Sequence, residues 1–345
     1  MMSVFNSRSA VYVVAMVVCL AVAGINIMAS PHGGSGRNLG NMVSSKCSAK
    51  SSLCRRSISS RTPAGLSLSY SSLQASRYSS SQQTSLTRCS ATLSPGDLVL
   101  VTGSTGGVGQ LVTANLLQKG FRVRAVTRSE ERGKQLFGEA ENLEVVVADQ
   151  RDAESISAAM DGVDGVVSCS GTTAFPSKRW DGNNGPEMTD KVGLHNLIDA
   201  AKSHSDKIKR FLLVSSTGVV RRKQFPFVIM NAFGVLDYKK LSEEYLEGSG
   251  LPYTIVRPGR LTDGPYTSYD LNTLLRATSG SRKNVEMSRD DVLNGEMSRI
   301  TLAEAVSQAI QLPCTEGMHV SMMSREGEGP GSQSNLWEEL YQQQQ

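Results

Sequence analysis

The first chemical signal is a set of three glycines. In VLVTGSTGGVGQ, Gly103, Gly106 and Gly109 fall three residues apart, interleaved with Thr105, Gly107 and Val108, after an apolar run of strand length and before a helix-like segment. This spacing suits a pyrophosphate: the backbone must turn sharply, approach the phosphates closely and let the next helix pack on the strand. The helix N-terminus then offers unpaired N–H groups and a partial positive charge. A glycine triplet alone is weak evidence, but this one stands in the strand–turn–helix context that dinucleotide binding requires.

The second run, FRVRAVTR, ends on Arg128. A carboxylate there would bind the ribose hydroxyls of NAD and repel a 2′-phosphate, so an arginine favours NADP over NAD. The competing reading pairs Arg128 with Glu130 or Glu131. Asp149, after LEVVVA, stands either at the adenine edge or as cap of the helix beginning near Asp152. Cys169 and Gly171, after the fourth run, are expected to border the cofactor, because ligands lie outside the carboxyl ends of such strands. Two cysteines at the separation of Cys169 and Cys314 indicate neither a disulfide framework nor a metal site.

The elements that must position these residues are legible from Asp97 onward. DLVLVTG, FRVRAVTR, LEVVVAD, VDGVVSCSG, IKRFLLVSS and PYTIVRP are rich in β-branched residues and of strand length. Between them lie helix-like segments such as GQLVTANLLQKG, TDKVGLHNLIDAAKS and DYKKLSEEYLEGSG. Continuous apolar strands alternating with helices predict a doubly wound parallel sheet of the α/β Rossmann type, with helices on both faces. Thr301 with Glu304 three residues on predicts a capping box for LAEAVSQAIQL, stopped by Pro313. A single domain over 97–325 is expected, followed by a tail over 326–345 in which NLWEELY predicts one last helix.

Residues 1–96 read as a targeting leader. No Asp or Glu precedes Asp97, nine arginines and lysines do, and serine crowds the stretch. Such a segment lacks the large apolar groups needed to offset its ordering entropy, and its composition is that of a plastid or mitochondrial transit peptide. The apolar stretch 10–29 is long enough to span a bilayer but is placed like the core of a signal peptide; an uncleaved anchor and a mispredicted start are the alternatives. No transmembrane span is expected in the mature form. Removing the leader leaves 27 basic against 32 acidic residues, about −5, so a basic nucleic-acid footprint is absent and no nucleic acid is expected as partner.

Taken together, the glycine motif, VSCSG, FLLVSSTGV and LPYTIVRPGRL occur in the order found in short-chain dehydrogenase/reductases. The GxxGxxG spacing resembles the atypical branch, which includes NmrA-like and NAD-dependent epimerase/dehydratase-like members. TTAFPSKRWDGNN and RLTDGPYTSYDLNTLL resemble plant and algal plastid proteins of that branch. The resemblance spans Leu98 to Leu312 and implies a seven-stranded parallel sheet, bound NADP and a plastid location, in the stroma or at the thylakoid periphery. It implies no single reaction, since fold alone does not select one.

Active members carry Tyr-x-x-x-Lys on a helix, the tyrosine as general acid or base and the lysine on the nicotinamide ribose. The resemblance puts the lysine at Lys239 and the tyrosine position at Val235. Tyr238 does not repair the pair, because neighbours on a helix point about 100° apart; it is expected at the pocket rim. Ser215 or Ser216 matches the family's active-site serine, or else closes a turn. Trp180 and Tyr266 are expected on the substrate side, the latter in the hydroxyl-rich loop after the sixth strand. Two functions follow as expectations. One is an NADP-dependent oxidoreductase acting on a small carbonyl or unsaturated substrate through Lys239 and a serine. The other is an inactive NADP-binding module serving as redox sensor or assembly factor in a plastid protein complex.

Overall fold

The computed structural model describes residues 92–262 and 283–345. Tyr266 and most of the expected substrate loop lie outside the described residues.

Each apolar run becomes a strand. In chain order, β1 (Leu98–Thr102) leads to α1 (Gly109–Gln118), β2 (Arg122–Thr127) to α2 (Glu130–Phe137), β3 (Leu143–Val147) to α3 (Ala153–Ala158), and β4 (Gly165–Ser168) to α4 (Gly193–Lys202). The segment Glu187–Val192 enters α4 as a π-helical turn. Then follow β5 (Arg210–Val214), the short α5 (Phe227–Met230), α6 (Val235–Glu247), β6 (Tyr253–Pro258) and β7 (Arg260–Thr262). The last elements are β8 (Lys283–Ser288), β9 (Glu296–Ser298), α7 (Arg299–Ala309), β10 (Met318–Glu328) and α8 (Ser334–Gln342).

The main sheet has the order β3-β2-β1-β4-β5-β6-β10-β8. Seven strands run parallel, as expected, but β8 adds an eighth, antiparallel to β10, so the implied seven-stranded all-parallel sheet is corrected. An edge strand needs no apolar face on both sides, and KNVEMS has only Val285 fully buried, which is why it carried no strand signal. β7 and β9 form a separate two-stranded ribbon.

Alternation along the strands divides the core between the two faces of the sheet. Val99 and Val101, Val167, and Leu212 and Val214 pack with Leu111 of α1, Leu302 and Val306 of α7, and Trp337 and Tyr341 of α8. Leu98 and Leu100, Val166, and Phe211 and Leu213 pack on the other side with Ile156, Leu197, Ile198 and Leu246. Trp337 and Tyr341 are fully buried, the Tyr341 hydroxyl donating to the Ala305 carbonyl at 2.9 Å. Residues past 325 are therefore integral to the core, a correction to the expected tail. Among the described residues no helix is long and apolar enough to cross a membrane.

Candidate functional site

The strand order reverses beside β1, and the glycine turn lies there. Gly103 adopts φ +67°, and a Cβ on it would stand 2.7 Å from the Cys169 carbonyl carbon and the Ser170 nitrogen. A Cβ on Gly109 would come within 2.1 Å of the Gly103 oxygen, and one on Gly106 within 3.1 Å. The turn is pinned by the Ser104 hydroxyl donating to the Val126 carbonyl and by Gln110 Nε2 donating to the Thr105 carbonyl. α1 begins with no side-chain cap and no acidic residue in its first turn, so its positive end is open to an anion, although the Gln110 N–H already donates to the Gly106 carbonyl at 3.0 Å. Gly106 is exposed, with Thr105 and Gly107 half-buried. Val108 is different: its side chain is in the core, which leaves its backbone alone facing the turn.

A cavity of about 350 Å³ opens from this turn along the carboxyl ends of β1 to β4, and its wall includes Arg128, Arg132, Arg151 and Arg179. Arg128 does not pair with Glu130, which takes Lys134 at 2.6 Å; its guanidinium instead donates to the Asn184 side-chain carbonyl. Asp149 lines the cavity, but its carboxylate is held by Arg151, with Nε at 3.0 and 3.1 Å. That contact keeps the Asp149 carboxyl below its usual range. Asp149 does not cap the next helix; Asp152 does, accepting from Glu154 N and Ser155 N. Arg151 also donates to the carbonyls of Gly182 and Asn183, drawing the 181–184 loop toward the cavity. Sequence reasoning missed Arg132, Arg151 and Arg179; Arg151, two residues past Asp149, had the same strand-end signal as Arg128.

In a separate small cavity, Lys239 Nζ lies 2.7 Å from Asp190 Oδ1, and Asp190 is almost wholly buried on the π-helical turn. The other Asp190 oxygen accepts from Thr172 N at 3.3 Å, and its backbone carbonyl accepts from the Ser242 hydroxyl at 2.6 Å. Gly171 passes so near that a Cβ would sit 3.1 Å from Lys239 Nζ. Asp190 was not singled out from sequence: its partner lies 49 residues away.

The two serines separate. Ser216 donates to the Thr217 carbonyl at 3.0 Å, closing a turn. The Ser215 hydroxyl is buried with no hydrogen-bond partner among the described residues, and it faces a small cavity of about 10 Å³ shared with Ser170, Thr189, Asp190 and Lys239. Cys169 lines the larger cavity, and burial pushes its thiol up to about 12, so it stays neutral.

Val235 is buried in an apolar cluster with Val219, Phe227 and Leu236. The start of α6 is set by Asn231 Oδ1, which accepts from Leu236 N and Asp237 N, and by Gly234 at φ +77°. Tyr238 is half-buried with its ring over Gly234. Trp180 donates from Nε1 to Thr173 Oγ1 and meets the Phe233 ring edge-on at 5.6 Å; Phe175 meets the same ring at 6.2 Å. This trio joins the loop after β4 to the residues just before α6.

Comparison with known proteins agrees with this geometry. A family model described as NAD(P)H-binding matches residues 103–313. The chain is 34% identical over 228 residues to the chloroplastic protein TIC 62 of Arabidopsis thaliana, covering 61% of this chain and 33% of that protein. It thus spans about a third of that relative's length. Two further Arabidopsis relatives are also designated chloroplastic. Sanguinarine reductase of Eschscholzia californica is 27% identical over 71% of this chain and 95% of its own length. A solved structure described as an NAD-dependent epimerase/dehydratase from Bacillus halodurans superposes with a TM-score of 0.56, at 25% identity, over 72% of this chain and all of that one.

Proposed function

The chain belongs to the NAD(P)H-binding family of Rossmann-fold proteins, and from that premise we propose that it is an NADP(H)-dependent reductase of the plastid acting on a small carbonyl or unsaturated acceptor. The cavity residues fit a dinucleotide: the glycine turn leaves room only for backbone, and the uncapped start of α1 accepts a pyrophosphate. Arg128, just past β2, and Arg132, in the first turn of α2, suit a 2′-phosphate, with Asp149 at the adenine edge. Cys169 and Gly171 border the nicotinamide half, whose ribose Lys239 would hold. A reduced nicotinamide, when bound, supplies a hydride. The observation that carries the reductase reading is the unpartnered, buried Ser215 hydroxyl beside Lys239, which is a polar group kept available where an acceptor would sit. The reductase relative supports the same reading.

In this reading Lys239 is a positioning group. Its ammonium is fixed by Asp190, which orients it toward the floor of the cavity, while Ser215 donates a hydrogen bond to the acceptor. Trp180 and Tyr238 border the acceptor side.

One observation favours the second reading, a binding module. Val235 fills the tyrosine position with a buried side chain that carries no ionisable group. Lys239→Ala separates the two. In a reductase it removes turnover with any accepted substrate while NADPH affinity falls only a few-fold; in a binding module only the affinity changes. NADPH consumption across a panel of carbonyl and unsaturated acceptors, beside calorimetric titration of NADPH, makes the distinction.

A further inference from the structure

The loop after β4 does not stay over the strand it leaves. In the order β3-β2-β1-β4, the ends of β2 and β3 lie two and three strands from β4, roughly 10 and 14 Å at the usual strand spacing. The loop nevertheless meets both. Arg128, just past β2, donates to the Asn184 side-chain carbonyl, and Arg151, just past β3, donates to the Gly182 and Asn183 carbonyls at 2.8 and 3.0 Å. The loop therefore bridges the carboxyl ends of these four strands, along which the larger cavity opens.

The middle of the bridge is held as firmly as its far end. Ser177 Oγ accepts from Arg179 N at 3.3 Å, Trp180 N donates to the Ser177 carbonyl at 2.9 Å, and Asn184 N donates to the Trp180 carbonyl at 3.0 Å. Trp180 is bound in turn through Nε1 to Thr173 Oγ1 at 3.1 Å. Arg179 lies between these ties, on a 3₁₀ turn; it is exposed and forms part of the cavity wall. A guanidinium carried on a fixed backbone loses little freedom when it binds, and its planar fork matches phosphate oxygens.

Charge points the same way. Asp149 is the one carboxylate among the described residues lining the cavity, and it is taken by Arg151, so Arg128, Arg132 and Arg179 are the arginines that the described wall sets against a bound anion. The phosphates of NADP carry roughly four negative charges, about 1.5–2 of them on the 2′-phosphate. Three guanidinium groups with the half-charge or so of the α1 N-terminus come close to balancing them.

Resting on the dinucleotide-binding part of the reading above, we propose that Arg179 is a phosphate-binding residue, carried by the loop after β4 onto the cofactor from a segment separate from the glycine turn and from the start of α2. The cofactor is thereby gripped by the bridge as well as by the strand ends beneath it, and the two phosphate groups within its reach are the pyrophosphate and the 2′-phosphate.

The test is calorimetric titration of the full-length chain with ADP and with adenosine 2′-monophosphate, which share the adenosine and differ in where the phosphate stands. Arg179→Ala is expected to weaken one of the two by about ten-fold while changing the other less than two-fold, and to leave the thermal midpoint of the ligand-free protein in place. A loss confined to ADP assigns Arg179 to the pyrophosphate; a loss confined to the 2′-monophosphate assigns it to the 2′-phosphate and to the choice of NADP over NAD. Arg179→Lys, which keeps the charge without the fork, should fall between the alanine variant and the unaltered chain. No loss for either probe, an equal loss for both, or a loss matched by a lowered midpoint overturns the proposal and leaves the reductase reading standing. Failure of the unaltered chain to bind NADPH or either probe removes that reading, and the proposal with it.

Discussion

Gly109 sets one of the tightest tolerances among the described residues, since a single methyl there would stand 2.1 Å from a backbone oxygen that cannot yield without moving the whole turn. Gly109→Ala is expected to weaken dinucleotide binding by more than 100-fold, read by calorimetry, and to lower the thermal midpoint. Arg128 acts on selectivity. Charge-assisted hydrogen bonds contribute about 1.5–3 kcal/mol, so Arg128→Ala should reduce NADP⁺ affinity roughly 10- to 100-fold with little change for NAD⁺; an equal loss for both would mean that Arg128 serves only to hold Asn184. These residues were readable because each lies within one local motif. Asp190 was not, because its role comes from a partner that is distant in the chain, and periodicity says nothing about which buried carboxylate meets which lysine. The choice between Ser215 and Ser216 was likewise closed to the sequence, which shows two hydroxyls but not which one the turn consumes.

At the scale of elements, the strands and helices were legible where burial writes a period into the chain, and boundaries were misread where it does not. The helix α7 is capped by Ser298 and not by Thr301, which lies buried one turn in; Glu304 closes no capping box and pairs with Lys119 at 2.9 Å. Ser298 and Thr301 are both N-cap residue types, and tertiary packing selects between them. The join of α6, β6 and β10 rests on a buried cluster. Arg257 grips Glu243 at 2.8 and 3.0 Å and donates to His319 Nδ1 at 2.9 Å, while Tyr253 and Glu247 approach His319 Nε2 at 3.4 and 3.5 Å, and Lys240 flanks Glu243. Burial, with Arg257 beside it, pushes His319 down to about 4. The unfolded chain therefore binds a proton on this imidazole from about pH 6.5 downward, where the folded one does not. Its contribution to stability is full above pH 6.5 and is lost as pH falls toward 4, with a slope of at most about 1.4 kcal/mol per pH unit. His319→Gln should flatten that part of a denaturation profile measured from pH 7 to pH 4. Glu243→Gln leaves Arg257 buried without its counter-charge and should cost about 3–5 kcal/mol in urea denaturation.

For the molecule as a whole, the fold class was open to reading because both faces of the sheet are covered, which makes its strands continuously apolar. The antiparallel edge strand was not, since it is half-exposed; the helix at NLWEELY was read, but its packing into the core was not, since it is short and mostly polar. Ligand binding should register globally. NADPH at 100 times its Kd should add about 2.7 kcal/mol to the unfolding free energy, measured as a rise in thermal midpoint that NADH at the same concentration does not match. Trp337→Ala should remove about 3–5 kcal/mol, although that residue lines neither cavity.

The location of Trp337 and Tyr341 also bears on the order in which the chain can fold. They share one core with Leu93 and with the first strand, so the earliest and latest described segments must meet before that side of the sheet is sealed. A chain threading through a ribosomal tunnel or a membrane pore presents Leu93 nearly 250 residues before Tyr341. Until the last helix emerges, the face that α8 covers stays open and the loop-closing cost of its long-range contacts is unmet. That side of the sheet is therefore completed only when α8 docks on it.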